Sequence, residues 1–326
     1  MKFRLVPLVA TALSCVVPLS IQAQTYPAKP IRMIAEFGAG SGGDLVLRAI
    51  QGPIADALGQ PVIIENRPGA SGVLAGEQIS KAAPDGYVIG ALTPNGLISR
   101  RFLAKPGAPI VDVLKDVTPL SAVGETVTLV LASQSSPVKT LKEMIDYAKA
   151  NPGKLSYGTS GFGTTHHLSQ EQVRMITGAD LLHIPYKTGV EAVQGLLSNQ
   201  IPIAYAIVGS IGSHLKAGKV VPLARVGSTR YEALPNVPAL AEMAPGFQAP
   251  PSWTGLFGPP NLPQAVLARL GGDIVKALNL PATKLRLLET GFEVIGNTPT
   301  EFAALIKVQI ELTGKIVKAA NIQPID

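Results

Sequence analysis

Two glycine turns, far apart in the chain, constrain the fold more than any other feature. The first is Ile31-Arg-Met-Ile-Ala-Glu-Phe-Gly-Ala-Gly-Ser-Gly-Gly-Asp44: an apolar strand, a glycine-rich turn, then a helix opening near Asp44. The second is Leu155-Ser-Tyr-Gly-Thr-Ser-Gly-Phe-Gly-Thr-Thr-His-His167, with the same order. Each offers bare backbone N–H groups, small hydroxyls and a helix N-terminus, and that combination holds anions. A chain of 326 residues has room for two lobes, one built around each turn.

The intervening pattern supports that division. Strand signals at Ile31–Phe37, Pro61–Glu65 and Tyr87–Leu92 alternate with helical spacing at Asp44–Leu58, closed by Gly59, and at Gly72–Ala82. This β-α-β-α-β order predicts a parallel, doubly wound sheet. Residues 100–119 read as irregular. The alternation then resumes: a strand at Thr126–Ala132, a helix from Thr140 with Glu143 in a capping-box position, and a helix from about Thr164 to Gly178. Leu181–Ile184, Val190–Leu197, Ile201–Val208 and Val221–Val226 continue it. Pro235–Pro251 reads as a connector, and Gln264–Leu278 and Pro299–Ala320 as closing helices packed on the first lobe.

The N-terminus sets the compartment. Met1-Lys-Phe-Arg4 is basic, Leu5–Ile21 is mostly apolar, and Gln22-Ala23 ends the run, so a secretory signal peptide over residues 1–23 with cleavage after Ala23 is expected. Pro18 interrupts the apolar run, which is short for a spanning helix. The one cysteine, Cys15, lies in this segment and fits a lipid-anchor signal poorly, so the mature chain has no disulfide and no thiolate metal site. Without Lys2 and Arg4, 26 basic residues against 22 acidic leave about +4, with no basic run. Tracking a phosphate backbone needs clustered cations, which argues against nucleic acid.

Catalytic constellations are thin. His166 and His167 are adjacent on one helix and point about 100 degrees apart, so they do not chelate one metal. Ser160 lacks a nucleophile elbow, because position 162 is Phe. His167 reads as a structural residue at a helix start. Asp44 reads as a cap that orients the loop rather than a general base. Trp253 reads as an anchor for the connector ahead of a ligand-stacking ring, and Tyr205 fits core and cleft wall equally. One rival function has a specific pattern. Gly38-x-Gly40-x-x-Gly43 between strand and helix, with Glu65 falling 22 residues after Gly43, is the spacing of a dinucleotide fingerprint, and so of a nicotinamide-dependent oxidoreductase. Against it, Glu36 is a costly charge just before the turn, Glu65 has Arg67 nearby to pair with, and an exported protein meets no ready cofactor pool.

A set of ordered motifs carries a family resemblance. Tyr26-Pro-Ala-Lys-Pro-Ile31, Leu58-Gly-Gln-Pro-Val62, Glu65-Asn-Arg-Pro-Gly-Ala70, Ala82-Ala-Pro-Asp-Gly-Tyr87, Asp116-Val-Thr-Pro119, Leu155-Ser-Tyr-Gly-Thr-Ser-Gly161, His183-Ile-Pro-Tyr-Lys187 and Leu234-Pro-Asn-Val-Pro238 resemble the Bug (TctC-like) substrate-binding proteins of tripartite tricarboxylate transporters. The resemblance spans essentially the whole mature chain. It implies an α/β, two-lobed periplasmic binding protein fold (type II-like) with the ligand cleft between lobes: 24–122 plus 248–326 as one lobe and 123–247 as the other. It implies a periplasmic, monomeric receptor for a small carboxylate, with membrane transporter subunits as partners, no cofactor and no enzymatic activity.

Carried onto this chain, the resemblance places a ligand carboxylate between Phe37, Gly38, Ala39, Gly40, Ser41, Gly42 and Asp44 on one side and Thr159, Ser160, Gly161, Gly163, Thr164 and Thr165 on the other. Thr93 and Asn95 are expected in the same cleft, with Tyr205 and Ala206 on its wall. Three departures from the family pattern matter. Glu36-Phe-Gly-Ala-Gly-Ser41 replaces a proline-rich turn. Ala206 stands where an acid is frequent, which argues against a ligand ammonium and so for a di- or aromatic carboxylate over an amino acid. Arg225 stands where an aliphatic residue is common. It is placed either to meet a second carboxylate or to pair with a glutamate, and both readings stay open.

Overall fold

The structure, a computed structural model, describes residues 26–324. The signal-peptide reading, with Cys15 and the cleavage after Ala23, lies outside the described residues. No helix among the described residues is long and apolar enough to cross a membrane.

The first half runs β1 (Ile31–Ala35), α1 (Gly42–Leu58), β2 (Val62–Asn66), α2 (Val73–Ser80), β3 (Val88–Leu92), α3 (Arg100–Leu103) and β4 (Thr118–Thr126). The middle runs β5 (Thr128–Ser133), α4 (Leu141–Ala150), β6 (Ser156–Thr159), α5 (Thr165–Thr177), β7 (Leu182–Pro185), α6 (Gly189–Leu197), β8 (Ile203–Ile207), α7 (Val208–Lys216), β9 (Val220–Arg225) and α8 (Leu240–Met243). The chain closes with β10 (Trp253–Gly258), α9 (Gln264–Leu278), α10 (Pro281–Glu289), β11 (Phe292–Val294) and α11 (Pro299–Ala319).

These elements build two sheets, ordered β11-β4-β10-β3-β1-β2 and β7-β6-β8-β5-β9. The two-lobed α/β architecture is as expected, but neither sheet is purely parallel. β2-β1-β3 and β7-β6-β8 are the parallel βαβ parts. β10 then runs antiparallel between β3 and β4, and β5 runs antiparallel between β8 and β9. All six residues of β10 are buried in the first sheet, although Trp253-Thr-Gly-Leu-Phe-Gly258 follows the supposed connector and carries two glycines. Residues 118–126, partly read as irregular, form the longest strand.

Local sequence explains the helix ends. Thr140 accepts the Glu143 N–H and Thr164 the His167 N–H, so each start is capped by its own hydroxyl. Gly59 and Gly178 close α1 and α5 in the left-handed conformation, φ 70° and 77°. Apolar faces of α1 and α9 pack side by side on one face of the first sheet through Leu47, Ile50, Ile54, Leu270 and Ile274, and α2 and α11 cover the other through Ile79, Phe302 and Ile306. In the second lobe, Met144, Tyr157, Ile203, Tyr205 and Leu223 occupy the corresponding core.

The lobes join at short segments. Val127 alone separates β4 from β5; its N–H donates to Gly291 O at 2.9 Å, and its carbonyl accepts Val208 N–H at 2.8 Å. Thr126 N–H donates to Ser252 O where the chain returns. Leu168 of α5 is buried with Leu103, Ile316 and Val317 of the first lobe. Thr126 and Ser252 of this join also line the cleft.

Candidate ligand cleft between the lobes

A cleft of about 620 Å³ runs between the two sheets and is lined by both lobes. Four helices begin at its wall: α1 with Gly42 and Gly43, α5 with Thr165 and His166, α6 with Gly189 and Val190, and α7 with Gly209 and Ser210. The first N–H groups of a helix have no acceptor within it, and the aligned peptide dipoles add partial positive charge there. Ser41, Thr164 and Thr188 each take one N–H of their own helix; α7 has no side-chain cap. Among the described residues, no lysine or arginine lines the cleft, and one carboxylate does, Glu289, exposed at the end of α10. An anion here meets main-chain dipoles and hydroxyls rather than a cation.

Of the residues named from sequence, Phe37, Gly42, Thr93, Asn95, Ser160, Thr164, Thr165 and Ala206 line the cleft. Gly38, Ala39, Gly40 and Ser41 are not in its lining; the last three are exposed in the turn outside it. Asp44 is fully buried and points back into its own loop. Its Oδ2 accepts Gly40 N–H at 2.9 Å and Arg48 Nε at 2.8 Å, and its Oδ1 accepts Asn66 Nδ2 at 2.9 Å. The hydrogen bonds to Asn66, Gly40 and Arg48 outweigh burial and hold its carboxyl below the usual range.

The second turn works the same way. Thr159 Oγ1 accepts Gly161 N–H at 3.1 Å and meets His183 Nε2 at 2.7 Å. Gly163, at φ 70°, donates its N–H to His167 Nδ1 at 3.1 Å. Thr159, Gly161 and Gly163 therefore shape the turn from behind, while Ser160, Thr164 and Thr165 face the space. His167 stacks on His183 with centroids 4.3 Å apart, and Phe162 meets both rings edge-on. Burial pushes His166 and His167 down to about 4 and His183 to about 3, His167 also feeling Arg174 and His183 feeling His167, so all three rings are neutral at pH 7. Among the described residues, no three His, Cys, Asp or Glu side chains are grouped to hold a metal.

Two named residues lie elsewhere. Tyr205 is a core residue whose hydroxyl donates to Gln170 Oε1 at 2.8 Å. Arg225 is buried at the join of the lobes, where it pairs with Glu125 and Glu293, so the glutamate reading describes its place. Trp253 is buried by Phe302, edge-on at 5.0 Å, and donates Nε1–H to Gln309 Oε1; it also forms part of the cleft wall. The dinucleotide pattern finds no support in the geometry. Asp44 occupies the Gly40 N–H, and Glu65 is held by a two-point bridge to Arg32 at 2.6 and 2.8 Å.

Sequence reasoning missed the starts of α6 and α7 and the Pro251–Thr254 and Glu289–Phe292 walls. Val208-Gly-Ser210 follows a strand with a glycine and a small hydroxyl, the signal that marked the other two turns, and was readable on the same ground.

Two lobes, an intervening cleft and converging helix starts define a solute-binding receptor. The chain belongs to the tripartite tricarboxylate transporter receptor family, whose model matches residues 46–322. It is 32% identical over 322 residues to a UPF0065 protein of Bordetella pertussis, covering 99% of both chains. Among solved structures it resembles the periplasmic binding protein BugD at 28% identity and TM-score 0.73, covering 92% of this chain and 100% of that one. It resembles an R. palustris protein solved with adipate at 27% identity and TM-score 0.78, covering 92% and 100%. MatC of Rhodopseudomonas palustris, with bound malate, matches at 29% identity and TM-score 0.71, covering 90% and 100%. Receptors of this family are periplasmic binding proteins and not enzymes, and their partners are a small-molecule ligand and a membrane transporter.

Proposed function

We infer that the protein captures a small organic carboxylate, a di- or aromatic acid in preference to an amino acid, and delivers it to the membrane subunits of a tripartite tricarboxylate-type transporter. The observation that carries this reading is the convergence of four helix starts from both lobes on one cleft, with no lysine or arginine among the described residues that line it. A carboxylate accepts several short hydrogen bonds at once, and N–H groups from opposite lobes satisfy it only when the lobes come together. The Phe37-to-Thr165 set is the anchoring side. Ala206, Ile207, Val190 and Leu45 offer an apolar wall for the rest of the ligand. Among the described residues no carboxylate lines this apolar wall to meet an ammonium group, which disfavours amino acids. The solved relatives that hold adipate and malate support the dicarboxylate preference.

The lobe limits of 24–122 with 248–326, and 123–247, belong to the same proposal, as do a monomeric state and export to the periplasm by a cleaved signal peptide. Closure would turn about the segments at Val127 and Ser252.

Thermal-shift and calorimetric screening tests the reading. Malate, adipate, succinate, benzoate, glutamate and NADH are the panel. A ligand present at a hundred times its Kd stabilises the folded state by about 2.7 kcal/mol, enough to read. Dicarboxylates or benzoate are expected to stabilise the protein. Stabilisation by glutamate alone would reverse the inference from Ala206, and NADH binding would restore the oxidoreductase reading.

A further inference from the structure

Glu36 has no part in the carboxylate site as described, yet it stands directly behind it. It follows β1 and precedes Phe37, and its backbone N–H donates to Ala91 O at 3.2 Å. Its Oε1 is hydrogen-bonded to the Thr93 hydroxyl. Its Oε2 is buried with no hydrogen-bond partner and lies against Gly72, where a Cβ would collide with it. Thr93 lines the cleft. A carboxyl group therefore sits one hydrogen bond behind the wall that meets the ligand.

Among the described residues no cation is paired with this group. From the turn before α2 the facing residue is Gly72, and from the end of β3 it is Thr93. The ionisable groups on adjoining elements are engaged elsewhere: Glu65 on β2 with Arg32 and Arg67, and Asp44 on α1 with Arg48. Burial pushes the Glu36 carboxyl up to about 7, with the Thr93 hydroxyl and backbone pulling the other way, so both protonation states are populated near neutrality.

We propose that Glu36 and Thr93 form a proton-linked control on anion capture, in which a protonated Glu36 donates to Thr93 Oγ1 and frees the Thr93 O–H to donate a hydrogen bond to the ligand carboxylate. The ionised form reverses the bond. Thr93 then donates inward, turns only lone pairs to the cleft, and leaves an uncompensated negative charge behind the anion. Binding takes up at most one proton from solvent, which stays on Glu36. Glu36 is a positioning residue that acts through Thr93. This inference rests on the carboxylate reading of the cleft.

The test is calorimetric titration of malate, adipate, succinate and benzoate into the protein between pH 6.5 and 8.5, in buffers of low and high ionisation enthalpy. The apparent Kd of a binding acid is expected to rise about twentyfold across that range as the competent fraction falls. The heats should differ between buffers by the uptake of up to one proton. Glu36→Gln, whose amide donates to Thr93 at every pH, is expected to bind at pH 8.5 as tightly as the unaltered protein at pH 6.5, with no proton uptake. Thr93→Val should weaken binding at every pH and flatten the slope. If none of the four acids binds, the carboxylate reading and this inference fall together. If one binds with a Kd constant from pH 6.5 to 8.5 and no buffer dependence, only the proton linkage is overturned; the same follows if Glu36→Gln keeps the slope.

Discussion

Arg225 and Glu293 pair across the join of the two lobes, the arginine at the end of β9 and the glutamate in β11. The guanidinium also reaches Glu125 of β4 at 3.5 Å and donates to Thr229 O and Oγ1 at 2.9 and 2.8 Å. The arginine side chain is 6% exposed, and the two acids are 38% and 32% exposed. Burial raises the Glu125 carboxyl, Arg225 opposes that shift and Glu293 adds to it, so two acids share one cation.

Replacing Arg225 by Ala removes that cation and leaves two acids facing each other at the join. Loss of about 1–2 kcal/mol is expected, less than on deleting one partner of a fully buried pair, because the two acids left behind are about a third exposed. Urea unfolding at pH 7.5 measures it. Affinities for malate and for lactate, which keeps one carboxylate, should change by the same factor. A loss confined to malate would bring Arg225 back to the ligand.

The neutral histidine cluster predicts acid lability. His166, His167 and His183 titrate lower in the folded state than the ordinary 6.5, so the stability they supply is complete above pH 6.5 and is lost as pH falls toward 4. For His166 a depression to about 4 corresponds to ~3 kcal/mol. Glu36 acts oppositely: raised to about 7, its contribution is complete below 4.5 and disappears as pH climbs through 7. Three histidines outweigh one glutamate, so the urea midpoint should drop steadily from pH 6.5 to 4.5. A flat midpoint over that interval would contradict the buried, neutral assignment.

Gly43 tests the first jaw of the cleft. A Cβ there would drive into the Phe37 ring, and both residues line the cleft. Gly43→Ala should displace Phe37 and weaken carboxylate binding by about tenfold, roughly the 1.4 kcal/mol expected of one disturbed contact set. Gly52→Ala, on the same helix but outside the cleft lining and with open space for a Cβ, is the control. Equal affinity of the two variants in calorimetry would remove Phe37 from the ligand's surroundings.

Most of the fold was readable because its signals are local. Capping threonines, closing glycines and period-3.6 spacing fixed α4, α5 and α9 within a residue or two. The strand β10 was not readable, because its stability comes from β3 and β4, which lie more than a hundred residues earlier in the chain. Two glycines and flanking prolines give it the look of a connector when read alone. At the site, the hydroxyls of Ser160, Thr164 and Thr165 were found because they follow a glycine turn. The destination of Arg225 was not. The same side chain serves a ligand or a glutamate, and only the placement of β11 beside β4 decides between them.

The converging starts of α1, α5, α6 and α7 have a consequence for how such a receptor can change. Their N–H groups belong to the backbone, so substitutions other than proline leave those donors in place, and alanine scanning will report the anchor as weaker than it is. The wall made by Leu45, Val190, Ala206 and Ile207 has no such protection. With the proposed carboxylate ligand, choice among acids can drift there while the main-chain anchor is inherited unchanged.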